Sequence, residues 1–441
     1  MPTQVAQKSS VTRIACILVS VLSVVALAYP PMPVLTLFAD SEQYRQMSET
    51  LFSGNLLATT GVRSEDPHAA TPLRPPLFPL LLGIASRIPG MDPSTALIAL
   101  HIILGAFVMI ATPRLLAGNI HPLLSTTACG IALYSAKQVA WGIMSEWLAM
   151  VSLFVACISY LAWGAGTSLR LALVVSLLLS LSTLTRAALI PWLTILPLML
   201  LQAPRGKTRA TATVLAIGIS PLFLWGSMNL QRSGSFSLSP YEGLNLVATA
   251  RSLGPIPVDS RDTESARSLI AILNEQGGTP SDGAFSAPEV HRWNGEFYEA
   301  FHTNFNVTSN ATRTLGASST IRPSELATRG LLAHSERYSR FLRGGVHTIL
   351  TQYAPLIIAC LVSSLWLASR AQQYARWSLG VATVCVVSLT YLILIFGTML
   401  WLHRYFIPVQ PILLFCLTVS TVRLVGTIVG SNSITANSKT L

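Results

Sequence analysis

The chain has 441 residues, 51% of them hydrophobic and only 11% charged, with a mean hydropathy of +0.55. Soluble domains carry about 25% charged residues. Here the charges sit in a few places with long uncharged runs between them, so a soluble fold is excluded and bilayer spans of about 20 apolar residues are indicated. The formal net charge of +11 invites a nucleic-acid reading, but its distribution removes it, as the order of the spans makes clear.

Ten spans are predicted, at residues 13–37, 95–114, 121–137, 143–165, 170–185, 187–203, 210–229, 346–368, 378–401 and 405–427. The first is read as retained: Lys8 and Arg13 precede an apolar run that continues past Ala26-Leu27-Ala28 to Phe38. The fifth and sixth are close enough to form one bent element. Pro191 and Pro197 in the sixth, and Pro408 and Pro411 in the tenth, predict kinks. With the N-terminus inside, the cytoplasmic set is Lys8, Arg13, Arg114, Arg170, Arg205, Lys207, Arg209, Arg370, Arg376, Arg423 and Lys439, without one acidic residue. All 18 Asp and Glu fall on the other side together with the remaining 18 Lys and Arg, so the whole excess charge is cytoplasmic. Both termini are then cytoplasmic, and no nucleic-acid partner is implied. Arg205, Lys207 and Arg209 serve orientation first, with contact to anionic lipid as the second reading.

Between the first two spans, Asp40 to Gly54 reads as an amphipathic helix with Tyr44, Met47, Leu51 and Phe52 on its apolar face, capped by Asp40 or Ser41 and lying flat at the interface. A polar loop follows, then Arg74-Pro75-Pro76 and an apolar piece to Gly83 that is too short to span. Residues 230–345 form a second outer segment with 11 basic and 11 acidic residues. Its length predicts a folded cap, helical near Thr263–Glu275, Glu289–Phe301 and Ser324–Leu342. Asn306 and Asn310 head glycosylation sequons of the commonest chance type. The domain reading is 1–229 as an N-terminal transmembrane module with a catalytic first outer loop at about 39–93, 230–345 as cap, and 346–441 as C-terminal helices and tail.

Six cysteines (Cys16, Cys129, Cys157, Cys360, Cys385 and Cys416) all lie in predicted spans, so they read as packing residues rather than a disulfide framework or metal site. Asp40 stands at the outer mouth of the first span, as a tuned base or as a helix cap. Glu146 is isolated among apolar residues at the outer end of the fourth span. It is either functional or half of a salt bridge to Lys137 or Arg186. Arg74, Arg186 and Arg404 would suit a phosphate if they converge, and each alone would be an interface-snorkelling residue. His101 and His121 read as structural. No phosphate-binding Gly-rich loop with its Lys, no G-x-S-x-G and no H-E-x-x-H is present, which argues against a nucleotide-driven pump.

A span, then Asp40-x3-Tyr44, an interfacial helix to Gly54 and Arg74-Pro-Pro-x-x-Pro79-x-Leu81 is an order of motifs that resembles the GT-C superfamily of membrane glycosyltransferases. The closest branch is that of the protein O-mannosyltransferases and aminoarabinose transferases (glycosyltransferase family 39-type). Ser145-Glu146, Leu184-Thr185-Arg186 with Pro191, Gly243-x-Asn245-Leu246 and Arg404-Tyr405-x-x-Pro408-x-x-Pro411 extend the resemblance over most of residues 12–250 and 378–427. It implies an all-α membrane protein with about ten transmembrane helices, outer-face interfacial helices and a mixed exoplasmic loop region. It also implies transfer of a sugar from a polyprenyl-phosphate donor to a hydroxyl of a glycan, lipid or protein acceptor on the exoplasmic face, usually with inversion. Asp40 matches the family's base. Many relatives have a second acid directly after it, whereas here Ser41 precedes Glu42, so a divalent metal is left open. The family's later acid maps to Glu146 or to Glu65/Asp66. Arg74, Arg186 and Arg404 would hold the donor phosphate, with Glu42, Tyr44, His403 and Tyr405 beside them. A bacterial inner membrane fits the compact chain. Two other classes compete: a transporter or flippase of a lipid-linked sugar, which needs polar residues at mid-membrane, and a scaffold indifferent to Asp40→Asn.

Overall fold

A run of apolar residues in lipid has one way to satisfy its backbone within a single segment, the α-helix. In the computed structural model the described residues are 2–29, 44–45, 47–49, 75–117, 119–142, 145–233, 236–238, 241–285, 295–314, 323–370, 374–398 and 406–437, and among them every regular element is helical. Asp40, Glu42, Glu65, Asp66, Arg74, His403, Arg404 and Tyr405 lie outside the described residues.

Among the described residues seven helical stretches are long and apolar enough to cross a membrane: Ser10–Ala28, Pro93–Leu115, Ser145–Gly164, Arg205–Gln231, Ser335–Arg370, Ala375–Phe396 and Gln410–Thr427. This is the construction of a multi-pass integral membrane protein. The outward side of the first helix supports it: Ile14, Ile17, Leu18, Leu22 and Val25 are exposed, an apolar stripe suited to the lipid around a bundle. The other three predicted spans are shorter. Pro122–Ser135 has 14 residues, Leu169–Thr185 has 17, and Ala187–Gln202 begins as a 3-10 helix over Ala187–Thr194 before turning α-helical at Ile195. The change at residue 195 follows from Pro191, which has no N–H to give to an α-helical ladder.

We number the helices α1 (Pro2–Ala28), α2 (Leu77–Ala85), α3 (Pro93–Leu115), α4 (Pro122–Ser135), α5 (Ser145–Gly166), α6 (Leu169–Thr185), α7 (Ile195–Gln202) and α8 (Thr208–Ser233). Then come α9 (Tyr241–Leu253), α10 (Glu264–Gln276), α11 (Glu296–Thr314), α12 (Pro323–Ala333), α13 (Ser335–Thr348), α14 (Ala354–Arg370), α15 (Ala375–Thr398) and α16 (Gln410–Asn437). At the centre stands α5, buried over 83% of its spanning window against 6% for α1 at the rim. Its contacts radiate to the rest of the bundle. Trp147 Nε1 donates to His101 O of α3, Phe154 meets Phe415 of α16 edge-on, and the Tyr160 hydroxyl lies 3.2 Å from both Gln202 Oε1 and Thr383 Oγ1. The first half of the sequence is thus wrapped around one helix and closed by the last three.

The fifth and sixth predicted spans are two separate elements. At the end of α6, Arg186 is extended (φ −148°, ψ 104°) and the chain reverses, so that Gln202 reaches the end of the bundle at which α6 began. Pro408 and Pro411 cause no mid-helix kink, because α16 starts between them at Gln410. Pro355 has a clear effect: the helix widens to a π-turn over Ile349–Tyr353 just before it, where the Pro ring cannot accept the normal register. The 36 residues from Ser335 to Arg370 extend about 54 Å, longer than the ~30 Å bilayer core, so their N-terminal part stands outside it.

That outer part belongs to the cap. Helices α9–α12 share a small core of Val247, Ala250, Ile256, Leu269, Ile270, Leu273, Ala311, Leu326 and Ala327. Of the helix expected over Glu289–Phe301, residues 289–294 lie outside the described residues and Glu296–Thr314 is helical, and the one expected over Ser324–Leu342 is two, broken at His334. Arg251, buried in this unit, closes the C-terminus of α10, donating to Leu273 O, Asn274 O, Gly277 O and the Thr279 hydroxyl. A cation on the carbonyls at this helix end also complements the helix dipole.

Candidate functional site

An ionisable residue placed in an apolar bundle must find a partner, because its desolvation costs several kcal/mol otherwise. Glu146 is 1% exposed. Its partner is Arg186, whose Nη1 donates to Glu146 Oε1 at 2.5 Å. Lys137, the other expected partner, instead lies over the Tyr134 ring, 4.6 Å from its centroid.

The sequence places the pair by simple register. Helices α5 and α6 are joined by the two-residue turn Thr167-Ser168 and run antiparallel. Ser182 Oγ donates to Ala149 O at 2.9 Å. One turn further along α6 and about one turn back along α5 stand Arg186 and Glu146. Glu146 also sits in the first turn of its helix, where a carboxylate is favoured by the free N–H groups and the dipole.

Tyr44 completes the chain of contacts. Its hydroxyl donates to Ser145 Oγ at 2.9 Å, and Ser145 Oγ donates to Glu146 Oε2 at 3.5 Å. Both carboxylate oxygens are thereby engaged, and all hydrogen bonds run toward the charge, an order in which each polarises the next. The Tyr44 ring is buried, edge-on to Phe78 of α2 with centroids 4.7 Å apart. Phe78 stacks in turn on His101, which faces Trp147. His101 Nδ1 lies 3.1 Å from Ala140 O. A carbonyl can only accept, so Nδ1 carries the proton and Nε2 the lone pair.

Of the helix expected over Asp40–Gly54 only residues 44–45 and 47–49 are described, and the apolar face expected there shows at Tyr44 and Met47. Both are buried in protein, Met47 among Leu184, Leu222 and Trp225, while Arg45 and Glu49 pair on the exposed side at 3.3 Å. The short piece expected before Gly83 is α2, and it forms the wall that Tyr44 leans on. Sequence reasoning singled out Tyr44, Glu146 and Arg186 and missed the roles of Phe78 and Ser182. Ser182 carries a signal, since it precedes Arg186 by one helical turn. Phe78 carries none beyond being apolar.

Of the expected site residues, the described part of the structure brings together Tyr44, Glu146 and Arg186. Among the described residues no three His, Cys, Asp or Glu side chains are placed to hold a metal ion. Five of the six cysteines are buried, none in a disulfide. Thr308, the hydroxyl residue of the Asn306 sequon, is buried and donates to Asn304 O within α11. No family model, curated protein or solved structure matches the chain.

Proposed function

We propose that this chain is a glycosyltransferase of the GT-C type, moving a sugar from a polyprenyl-phosphate carrier to a hydroxyl on the exoplasmic face of a membrane. The observation that carries the reading is the buried run Tyr44–Ser145–Glu146–Arg186 at one end of the bundle. It ties the first outer loop to the two inner helices that the order of motifs associates with the donor. A purely structural pair needs no link to that loop.

In this mechanism Asp40 removes the proton of the acceptor hydroxyl as its oxygen attacks the anomeric carbon. The bond from that carbon to the phosphate oxygen breaks, and polyprenyl phosphate leaves with the electron pair. Arg74, Arg186 and Arg404 face the departing charge, and Glu146 fixes the guanidinium of Arg186 in direction. Glu42, His403 and Tyr405 are the further candidates for this site. A bound divalent metal is compatible with the chemistry but is not required by it, since the leaving group is already a phosphate ester. The cap over 230–345 selects the acceptor, be it glycan, lipid or protein. Ten spans, cytoplasmic termini and a bacterial inner membrane complete the proposal, with Pro122–Ser135 and the two shorter apolar helices Leu169–Thr185 and Ala187–Gln202 counted as spans.

The test is transfer by purified protein in nanodiscs with a panel of polyprenyl-phosphate sugars and cell-envelope acceptors. Release of polyprenyl phosphate by wild type, reduced at least 100-fold by Asp40→Asn at matched folding, is the expected result. Unchanged release by the variant refutes Asp40 as the base.

A further inference from the structure

At the end of the bundle opposite Glu146, helices α6 and α8 run parallel and in close contact. Ser180 Oγ donates to Gly218 O at 2.8 Å, and Ser176 Oγ reaches Val214 O at 3.5 Å. A Cβ on Gly218 would stand 2.9 Å from the Leu177 backbone nitrogen, so this closeness depends on glycine. The register has a consequence for charge. Arg170 lies six residues before Ser176 and Arg209 five before Val214, which at about 1.5 Å per residue puts the two at one level within about 2 Å. Arg205 and Lys207 form the tight turn that leads into α8. Residues distant in sequence thus make one patch of four cations.

All four are exposed, and among the described residues none of them makes an ion pair. The nearest acids in sequence, Glu146 and Glu242, belong to the other end of the bundle. Apolar side chains open to the outside flank the patch in sequence: Leu201, 82% exposed, four residues before Arg205, and Ile217, 57% exposed, two turns after Arg209. Cations at the rim of an apolar stripe match an anionic headgroup above its acyl chains, and the stripe favours a lipid over a soluble polyanion.

We infer that Arg170, Arg205, Lys207 and Arg209 form a binding site for the phosphate headgroup of an anionic glycerophospholipid in the leaflet at that end. The inference is independent of the glycosyltransferase reading. Native mass spectrometry of the intact protein, released from nanodiscs of equal phosphatidylglycerol and phosphatidylcholine, tests it. Wild type should retain phosphatidylglycerol preferentially, and added salt should weaken the preference. Replacing the four residues by Gln should reduce retention by about fivefold per charge removed. Arg→Lys at 170, 205 and 209 should keep most of it, and Arg261→Gln with Arg267→Gln in the cap should leave it unchanged. Equal retention of the two lipids by wild type overturns the proposal. So does undiminished phosphatidylglycerol retention in the four-Gln variant, or a loss as large from the cap variant.

Discussion

Glu146 and Arg186 are two charges within an apolar bundle, and neither is tolerable there alone. Truncating one member of such a pair costs about 3–5 kcal/mol, because the other is left uncompensated, whereas replacing both by apolar residues of similar size is far milder. Glu146→Leu should therefore lower Tm in detergent sharply, and Glu146→Leu with Arg186→Met should recover most of the loss. The double variant separates structure from chemistry. Thermal unfolding should report a folded protein, while transfer assays should find no activity if Arg186 faces the donor phosphate. The sequence made both residues conspicuous, since each interrupts a long apolar run. It left the choice between Lys137 and Arg186 open, and only the antiparallel register of α5 and α6, set by Ser182 on Ala149, resolves it.

At the scale of the element, hydrophobic runs told where helices lie, and polar punctuation told less about how they end. The 3-10 turn after Arg186 and the π-turn before Pro355 are backbone responses to proline whose form depends on the neighbours. The placement of Tyr44 was only half legible: its spacing with Met47 marks an apolar face, but a face toward lipid and a face toward protein have the same composition. The cap helices were readable where caps are strong, as at Thr263, whose hydroxyl accepts from Ala266 N ahead of α10.

The approach to that helix is fastened to α12 by a forked ion pair, Arg329 Nη1 to Asp262 Oδ2 at 2.6 Å and Nη2 to Oδ1 at 2.8 Å. The hydrogen bonds from Arg329 hold the Asp262 carboxyl below its ordinary value of 3.8, with burial opposing. The folded cap thus binds this proton less readily than the unfolded chain. Its contribution to stability is complete above pH 3.8 and is lost as the pH falls through the lower folded value. A stability gap between wild type and Asp262→Asn should be constant from pH 7 to about 5 and close in more acid solution, as read by thermal unfolding at each pH.

For the whole molecule the organising fact is polarity along the bundle axis. One end carries the pair of Glu146 and Arg186, the loop that supplies Tyr44, and the cap. The other carries Arg170, Arg205, Lys207 and Arg209, none of them in an ion pair among the described residues. Charge counting along the sequence expects such a separation of signs, because each span reverses the side. It does not read chemistry, since a transferase and a flippase of the same lipid-linked sugar share a bundle, a cationic rim and a cap. The deciding measurement uses sealed proteoliposomes with the protein in one orientation and a short-chain, water-soluble polyprenyl-phosphate sugar supplied from one side at a time. A transferase with its site at the cap end predicts polyprenyl phosphate release and acceptor glycosylation only when donor and acceptor are on the cap side. Passage of the intact lipid-linked sugar across the bilayer without release, or turnover from the Arg205 side alone, would contradict it.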